Sequence, residues 1–404
     1  MQRPFYVYRR WHKRLTAFLF DALGGLFFFP ARCFSGHLTF EKVKRILVIR
    51  LDHLGDVVMT RPALKALERI FPEARIDLLV SEETAPLLKD SAAPGEILAA
   101  KNHWFGKSVK PQIQWAGFFS LLEILKKKNY DLAIDFRGDL RNILLMFLAG
   151  IPLRLGFGIT GGGFLLSHQG LYDPRKHRVE LNAELLKFFR KHFELKPEPF
   201  LYSEARKKEF WARTGMIPQD GRRRILIHPA ASCPSKQWPL ARFQRLIEKI
   251  REENLGRIIL AGTSEEKKIF MPECGGEILD LRGETSIGDL PVLIAGCDLF
   301  IGNDSGPAHI AAAQGKYGVS IFSGTNLAEA WRPWSPRLRL IGRAVSCSPC
   351  EARVCPLGHH QCMEEISVDE VLRAVKSVLN ELSQARQAAD PSPLEKNAAP
   401  GAVP

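Results

Sequence analysis

Residues Leu299 to Gln314 read LFIGNDSGPAHIAAAQ: apolar residues, the turn-forming set Asn303-Asp304-Ser305-Gly306-Pro307, then an Ala-rich run. That order predicts a buried strand, a tight turn and a helix start. Asp304 or Ser305 can cap the helix, and Pro307 suits its first turn, where the missing N–H would lack a partner anyway. Gly306 lets backbone amides approach a ligand, and the free N–H groups of a helix start attract anions. Asp304 adds a carboxylate able to accept sugar or ribose hydroxyls, and His309 a donor for a phosphate. A pocket suited to diphosphate and sugar together points to a nucleotide-sugar, although an ordinary capped helix of an α/β unit would be written with the same residues.

The chain around this stretch has 404 residues, too many for one compact core by the usual size scaling, so two domains are expected. With 46% hydrophobic and 25% charged residues it is globular, and a net charge of +13 calls for an anionic partner: nucleic acid, an acidic membrane surface or a phosphorylated substrate. Eight cysteines in this length, without a secretory leader, argue against a disulfide scaffold and for a reducing compartment.

Residues 1–40 stand apart. Arg3, Arg9, Arg10, Lys13 and Arg14 precede LTAFLFDALGGLFFFP, interrupted by Asp21 and ended by Pro30. The run is shorter than the roughly 20 apolar residues of a spanning helix. It reads as an interfacial segment with Phe18, Leu19, Phe27, Phe28 and Phe29 at the acyl boundary, or as a helix packed on the protein's own body.

Alternation then sets in. RILVIR (Arg45 to Arg50), RIDLLV (Arg75 to Val80) and DLAIDF (Asp131 to Phe136) read as strands, with helices over about Met59 to Phe71, Phe118 to Lys128 and Leu140 to Leu148. This gives a parallel sheet covered on both faces, over 41–195. Pro197, Pro199, Pro218 and Gly221 mark a linker over 196–223. A second series over 224–389 has RILIH, RIILAG, a short strand near Ile278, the Leu299 strand and GVSIF as strands. The expected architecture is α/β, two Rossmann-like units facing a cleft, and the Pro- and Ala-rich 390–404 is expected to be a disordered tail.

Strand ends of open parallel sheets are where ligands bind. After the first strand comes Leu51-Asp52-His53-Leu54-Gly55-Asp56, without the G-x-G-x-x-G of a dinucleotide site. Gly55 permits a turn and Asp56 can take a proton from an attacking hydroxyl, or simply cap a helix. In the second series, HPAASCPSKQWP carries Ser235-Lys236, a hydroxyl and an ammonium for the same diphosphate, and AGTSEE offers Glu265 or Glu266 to a ribose or to a helix cap.

Four segments, LDHLGDVVMTRPALKAL, HPAASCPSKQWP, IGNDSGPAHIAAAQG and CSPCEARVCPLGHHQCM, resemble in this order and spacing the glycosyltransferase family 9 heptosyltransferases of lipopolysaccharide assembly. The resemblance runs from about Lys44 to about Leu382. It implies a GT-B fold and an inverting reaction that needs no metal or other cofactor. The implied donor is ADP-heptose, held mainly by the second domain, and the implied acceptor is the lipid A-linked core oligosaccharide, held by the first. It matches Asp56 to the catalytic base, Lys236 to the lysine on the donor phosphates and Asp304 to the carboxylate on the donor sugar. Ser305, Gly306, Pro307, Ala308 and His309 match the turn around the diphosphate. Asp52 and His53 stand where many relatives have a small hydroxyl residue, so the resemblance does not carry over to the acceptor side or identify the acceptor. The implied location is cytoplasmic, peripheral on the inner face of the cytoplasmic membrane.

Cys347, Cys350, Cys355 and Cys362, with His359 and His360 among them, supply enough ligands for tetrahedral zinc. The resemblance contains the same segment without implying a metal, and packed thiols near the cleft account for it as well. Lys101, Lys107 and Lys110 flank Trp104 and Phe105, and Arg137 and Arg141 follow the third strand. These cations suit a phosphorylated acceptor, and no nucleic-acid motif accompanies them. The alternatives within this reading are a transferase for another nucleotide-sugar or acceptor and a non-catalytic nucleotide-sugar-binding protein.

Overall fold

The computed structural model describes residues 6–8, 10–34, 40–90, 95–101, 115–216, 221–269 and 278–389. Two six-stranded parallel sheets organise it. The first contains β1 (Arg45–Arg50), β2 (Arg75–Ser81), β3 (Ile97–Ala100), β4 (Leu132–Asp135), β5 (Leu153–Gly156) and β6 (His168–Gln169) in the order 3-2-1-4-5-6. The second contains β7 (Arg224–His228), β8 (Arg257–Leu260), β9 (Ile278–Asp280), β10 (Leu299–Asn303), β11 (Tyr317–Phe322) and β12 (Leu338–Gly342), and repeats that order as 9-8-7-10-11-12. In each sheet the order reverses beside the first strand, β1 against β4 and β7 against β10. This topological switch opens a crevice at the strand ends. The strands are apolar because both faces are covered: Ile46, Leu47, Val48 and Ile49 of β1, and Ile225 and Ile227 of β7, have no exposed surface.

The helix after β1, α2 (Leu54–Ile70), starts earlier than the expected Met59. Gly55 and Asp56 therefore lie in its first turn and not in a loop ahead of it. Segment 196–223 contains a helix of its own, α3 (Glu204–Thr214), capped by Ser203. The helix after β10, α4 (Gly306–Ala313), packs against α2, and Val57 and Val58 share one buried cluster with Ala308, Ile310 and Ala311. The chain closes on α5 (Val368–Ala389), whose Val371, Val375 and Val378 cover the second sheet.

α1 (Trp11–Phe34) lies on the N-terminal half. Phe28, expected at a lipid boundary, faces inward against Phe147 and Phe164. No described helix is long and apolar enough to cross a membrane. The Phe29 side chain, Trp104, Phe105, Lys107, Lys110 and the 390–404 tail lie outside the described residues.

Candidate functional site

A cleft of about 690 Å³ lies between the two halves, and the ends of β1, β4, β7 and β10 supply its walls. Asp52, His53, Gly55, Asp56 and Arg137 line it from the N-terminal half, and Lys236, Asp304, Ser305, Gly306 and His309 from the C-terminal half.

On the N-terminal side, Asp56 is 6% exposed and its Oδ1 accepts a hydrogen bond of 2.9 Å from the guanidinium of Arg50, the last residue of β1. Arg50 is itself buried and also lies 4.0 Å from Asp52. Arg137 donates to Asp52 Oδ1 at 2.7 Å and to the Leu51 carbonyl at 3.1 Å. Two cations and two carboxylates thus share one wall. Burial first, and the neighbouring Asp56 second, raise the Asp52 carboxyl above its usual range, while Arg50 and Arg137 oppose the shift. His53 precedes the helix with extended backbone but makes no side-chain cap, and it is exposed to the cleft.

Across the cleft, the turn Pro234–Lys236 brings Lys236 Nζ to 2.6 Å from Asp304 Oδ2. Asn303, fully buried, holds that geometry: its Nδ2 donates to the Pro229 carbonyl at 2.7 Å, and its Oδ1 accepts from the Trp238 amide at 3.1 Å. One side chain thereby ties the lysine loop to the end of β10. His309 Nε2 is 3.9 Å from Asp304 Oδ1, and burial pushes its imidazole down to about 4, so it is neutral at pH 7. Its Nδ1 is buried and has no hydrogen-bond partner among the described residues. A neutral His309 can donate to an oxygen but adds no charge there.

The two glycines of the motifs serve the approach of α2 to α4. A Cβ on Gly55 would sit 2.8 Å from His309 Cδ2, and a Cβ on Gly306 would sit 2.5 Å from Leu54 Cδ2 and 2.9 Å from Leu54 Cβ. Each helix start fits against the other only without those side chains.

Several expected roles change. Ser305 precedes α4 but does not cap it; its Oγ lies 3.5 Å from His228 Nδ1. Asp304 is engaged with Lys236 and does not cap either. The start of α4 thus faces the cleft without a side-chain cap. Pro307 and Ala308 are buried in the helix packing. Ser235 points away from the cleft, donating to the Ala352 carbonyl at 2.5 Å and anchoring the cysteine-rich segment. Glu265 lies on the exposed side of its helix, paired with Lys268 at 2.7 Å, while Glu266 accepts from the Thr263 amide as the cap.

Arg50, Asn303, Arg178, Asn326 and Arg353 were not anticipated. All but Asn303 line the cleft, and Asn303 is the tie just described. Arg178 packs its guanidinium 4.5 Å over Trp331, joining the two halves.

Cys347, Cys350, Cys355 and Cys362 are free thiols, and among the described residues no group of three or more His, Cys, Asp or Glu side chains is arranged to hold a metal. Their loop instead packs on the C-terminal half beside the cleft: the Cys350 and Glu351 amides donate to the Gly324 and Thr325 carbonyls, and Arg353 reaches the cleft.

Comparison with known proteins decides what such a cleft belongs to. The model of "Glycosyltransferase family 9 (heptosyltransferase)" matches residues 118–361, more than half of the chain. The chain belongs to glycosyltransferase family 9. This family 9 chain is 26% identical over 342 residues to lipooligosaccharide heptosyltransferase 2 of Campylobacter jejuni subsp. jejuni serotype O:2, covering 81% of itself and 95% of that protein. The structure of Escherichia coli ADP-heptose lps heptosyltransferase II superposes with a TM-score of 0.68 at 23% identity, over 83% of this chain and 99% of that one. The family 9 glycosyltransferase structure from Veillonella parvula gives 0.71 at 20% identity, over 85% and 99%. The fold of this family 9 enzyme is GT-B, as its two sheets and central cleft had indicated.

Proposed function

We propose that this glycosyltransferase moves a heptose from ADP-heptose to the lipid-linked inner core of lipopolysaccharide, at the inner face of the cytoplasmic membrane, with inversion and without a metal. One observation carries the reading: a buried carboxylate held by an arginine, Asp56 with Arg50, faces the Lys236–Asp304 pair across a single cleft. The names of the similar proteins, heptosyltransferases of lipooligosaccharide and lipopolysaccharide, support a heptose as the sugar moved and lipopolysaccharide as its destination.

In this reading Lys236 leaves Asp304 for the donor diphosphate, and Asp304 accepts hydroxyls of the donor sugar. Asp56 receives the proton of the acceptor hydroxyl as its oxygen attacks the anomeric carbon from the face opposite the diphosphate. The C–O bond to the diphosphate breaks and ADP departs with the electron pair, its growing charge met by Lys236 and the uncapped amides of α4. The ammonium and the positively polarised amides supply what a divalent ion would otherwise supply. Arg50 fixes the Asp56 rotamer, and closure of the two halves excludes water as a competing acceptor.

Asp52 is the second candidate for the base, because it lines the same cleft wall and its raised carboxyl holds a proton better than an ordinary carboxylate does. Acceptor-dependent ADP release, with ADP-heptose and truncated lipopolysaccharide cores, separates the two. Asp56→Asn is expected to abolish turnover while leaving donor binding intact, and Asp52→Asn to alter mainly KM for the acceptor. The reverse pattern moves the base to Asp52. Full activity in excess chelator, and the opposite anomeric configuration in the product by NMR, are the expected results for the remaining two features.

A further inference from the structure

α1 is amphipathic in the wrong sense for a helix that merely covers a protein core. Its inner side is made by Ala17, Asp21, Gly24 and Phe28: Ala17 is buried, Asp21 accepts from Tyr6 Oη at 2.8 Å and from the Gly162 amide at 2.6 Å, and Gly24 packs onto Phe164. Its outer side repeats an apolar residue about every turn, at Trp11, Leu15, Leu19, Leu23, Leu26 and Phe27. Leu23, Leu26 and Phe27 are 67, 76 and 80% exposed, and Trp11 is 74% exposed. Such a contiguous row marks a surface that meets another phase.

Charge selects the phase. Arg10, Lys13 and Arg14 stand exposed at the N-terminal end of α1, in line with Ala17 and Asp21 and before the stretch that packs on the body, and Asp21, the one carboxylate among the described side chains of this segment, is turned inward. Long, exposed cations at one end of a helix that carries an apolar row, with no exposed carboxylate among its described side chains, suit a surface that is apolar below and anionic at its headgroups, which such side chains reach from the helix end. The helix is also tied to the reaction cleft. The residues just before it pair with the cleft wall, Val7 amide to the Ile159 carbonyl and Tyr8 Oη to the Thr160 carbonyl, both at 3.1 Å. Val7, Ile159 and Thr160 themselves line the cleft on the acceptor side.

We infer that the outward face of α1 docks on an anionic phospholipid bilayer, and that this docking sets the acceptor side of the cleft at the lipid surface, where a lipid-anchored acceptor enters it. The helix lies in the interface, since no described helix is apolar enough to cross. The inference rests on the proposed lipid-linked acceptor for its consequence, and on α1 alone for the docking.

The test uses the full chain and a double variant, Leu23→Glu with Leu26→Glu, both at exposed positions remote from the catalytic groups. Sedimentation with vesicles of phosphatidylcholine alone, or with phosphatidylglycerol added, is expected to show binding to the anionic vesicles that weakens with salt and falls about tenfold or more in the variant. ADP release with a deacylated, soluble acceptor is expected to be equal in the two proteins, and release with the acylated acceptor embedded in vesicles to fall about tenfold in the variant. Equal vesicle binding by both proteins overturns the inference. So does an apolar face covered by a second copy of the chain, seen as a dimer by light scattering that the variant abolishes without any vesicle binding by the wild type. If neither protein releases ADP with the soluble acceptor, the transferase reading fails, and the vesicle partition still decides the docking surface.

Discussion

Adding one methyl group at Gly306 is expected to force the two halves apart. The new Cβ would lie 2.9 Å from both Cβ and Cγ of Leu54 and 2.5 Å from its Cδ2. The tip of Leu54 can turn away, but its Cβ is fixed by the backbone of α2. Carbon atoms rest at about 3.5–4.0 Å, so α2 and α4 must separate by roughly 1 Å at their facing ends. Overpacking of this kind costs about 1–3 kcal/mol of stability. The larger effect is on rate: Asp56 rides on α2, Asp304 stands two residues before α4, and a displacement near 1 Å between reacting groups can lower turnover about 100-fold. The assay is acceptor-dependent ADP release, with urea unfolding of the same samples. Leu54→Ala in the Gly306→Ala background removes two of the three close contacts and is expected to restore part of the rate. Wild-type turnover and stability in Gly306→Ala would refute the close approach of the two helix starts, and so would the lack of any rescue.

Other outcomes follow from the same geometry. Arg50→Met leaves Asp56 buried without its cation and is expected to cost roughly 3–5 kcal/mol in chemical unfolding, with Arg50→Lys recovering part of it; a loss within error of zero contradicts the pairing. Lys236→Met is expected to lower kcat about 100-fold or more by removing charge at the leaving diphosphate, and a change confined to KM would assign it to binding alone. His309 gives a pH signature. Burial lowers its imidazole from 6.5 to about 4, so as pH falls through that window the unfolded chain takes up a proton that the folded chain refuses. Stability therefore drops toward acid by about 3 kcal/mol from this group, and His309→Gln is expected to show a shallower fall between pH 6.5 and 4; an unchanged slope contradicts it.

Strands such as RILVIR and RILIH were legible because burial on both faces writes a continuous apolar run. β12, LRLIG, was not read: it is an edge strand, half exposed, with Arg339 inside it. α5 was also missed, although its valines recur at helical spacing. The place of Asp56, Lys236 and Asp304 on the cleft wall was legible because strand-end loops in such sheets open onto the crevice. Which side chain of a loop turns inward is not written in the sequence, so Ser235 and Glu265, expected at the donor, do not line the cleft but pair with the Ala352 carbonyl and Lys268. Arg50 closes an apolar strand, where a charge reads as a boundary, and its service to Asp56 exists only once α2 folds back. Arg178 is far from the motifs in sequence and reaches the cleft only when the two halves meet.

The most direct test of the central claim is ADP release by Asp56→Asn, with ADP-heptose as donor and a heptose-deficient lipopolysaccharide core as acceptor. The account predicts acceptor-dependent release by the wild type and none above background by the variant, with donor affinity unchanged. Undiminished release by the variant, or release by the wild type that ignores the acceptor, would contradict it.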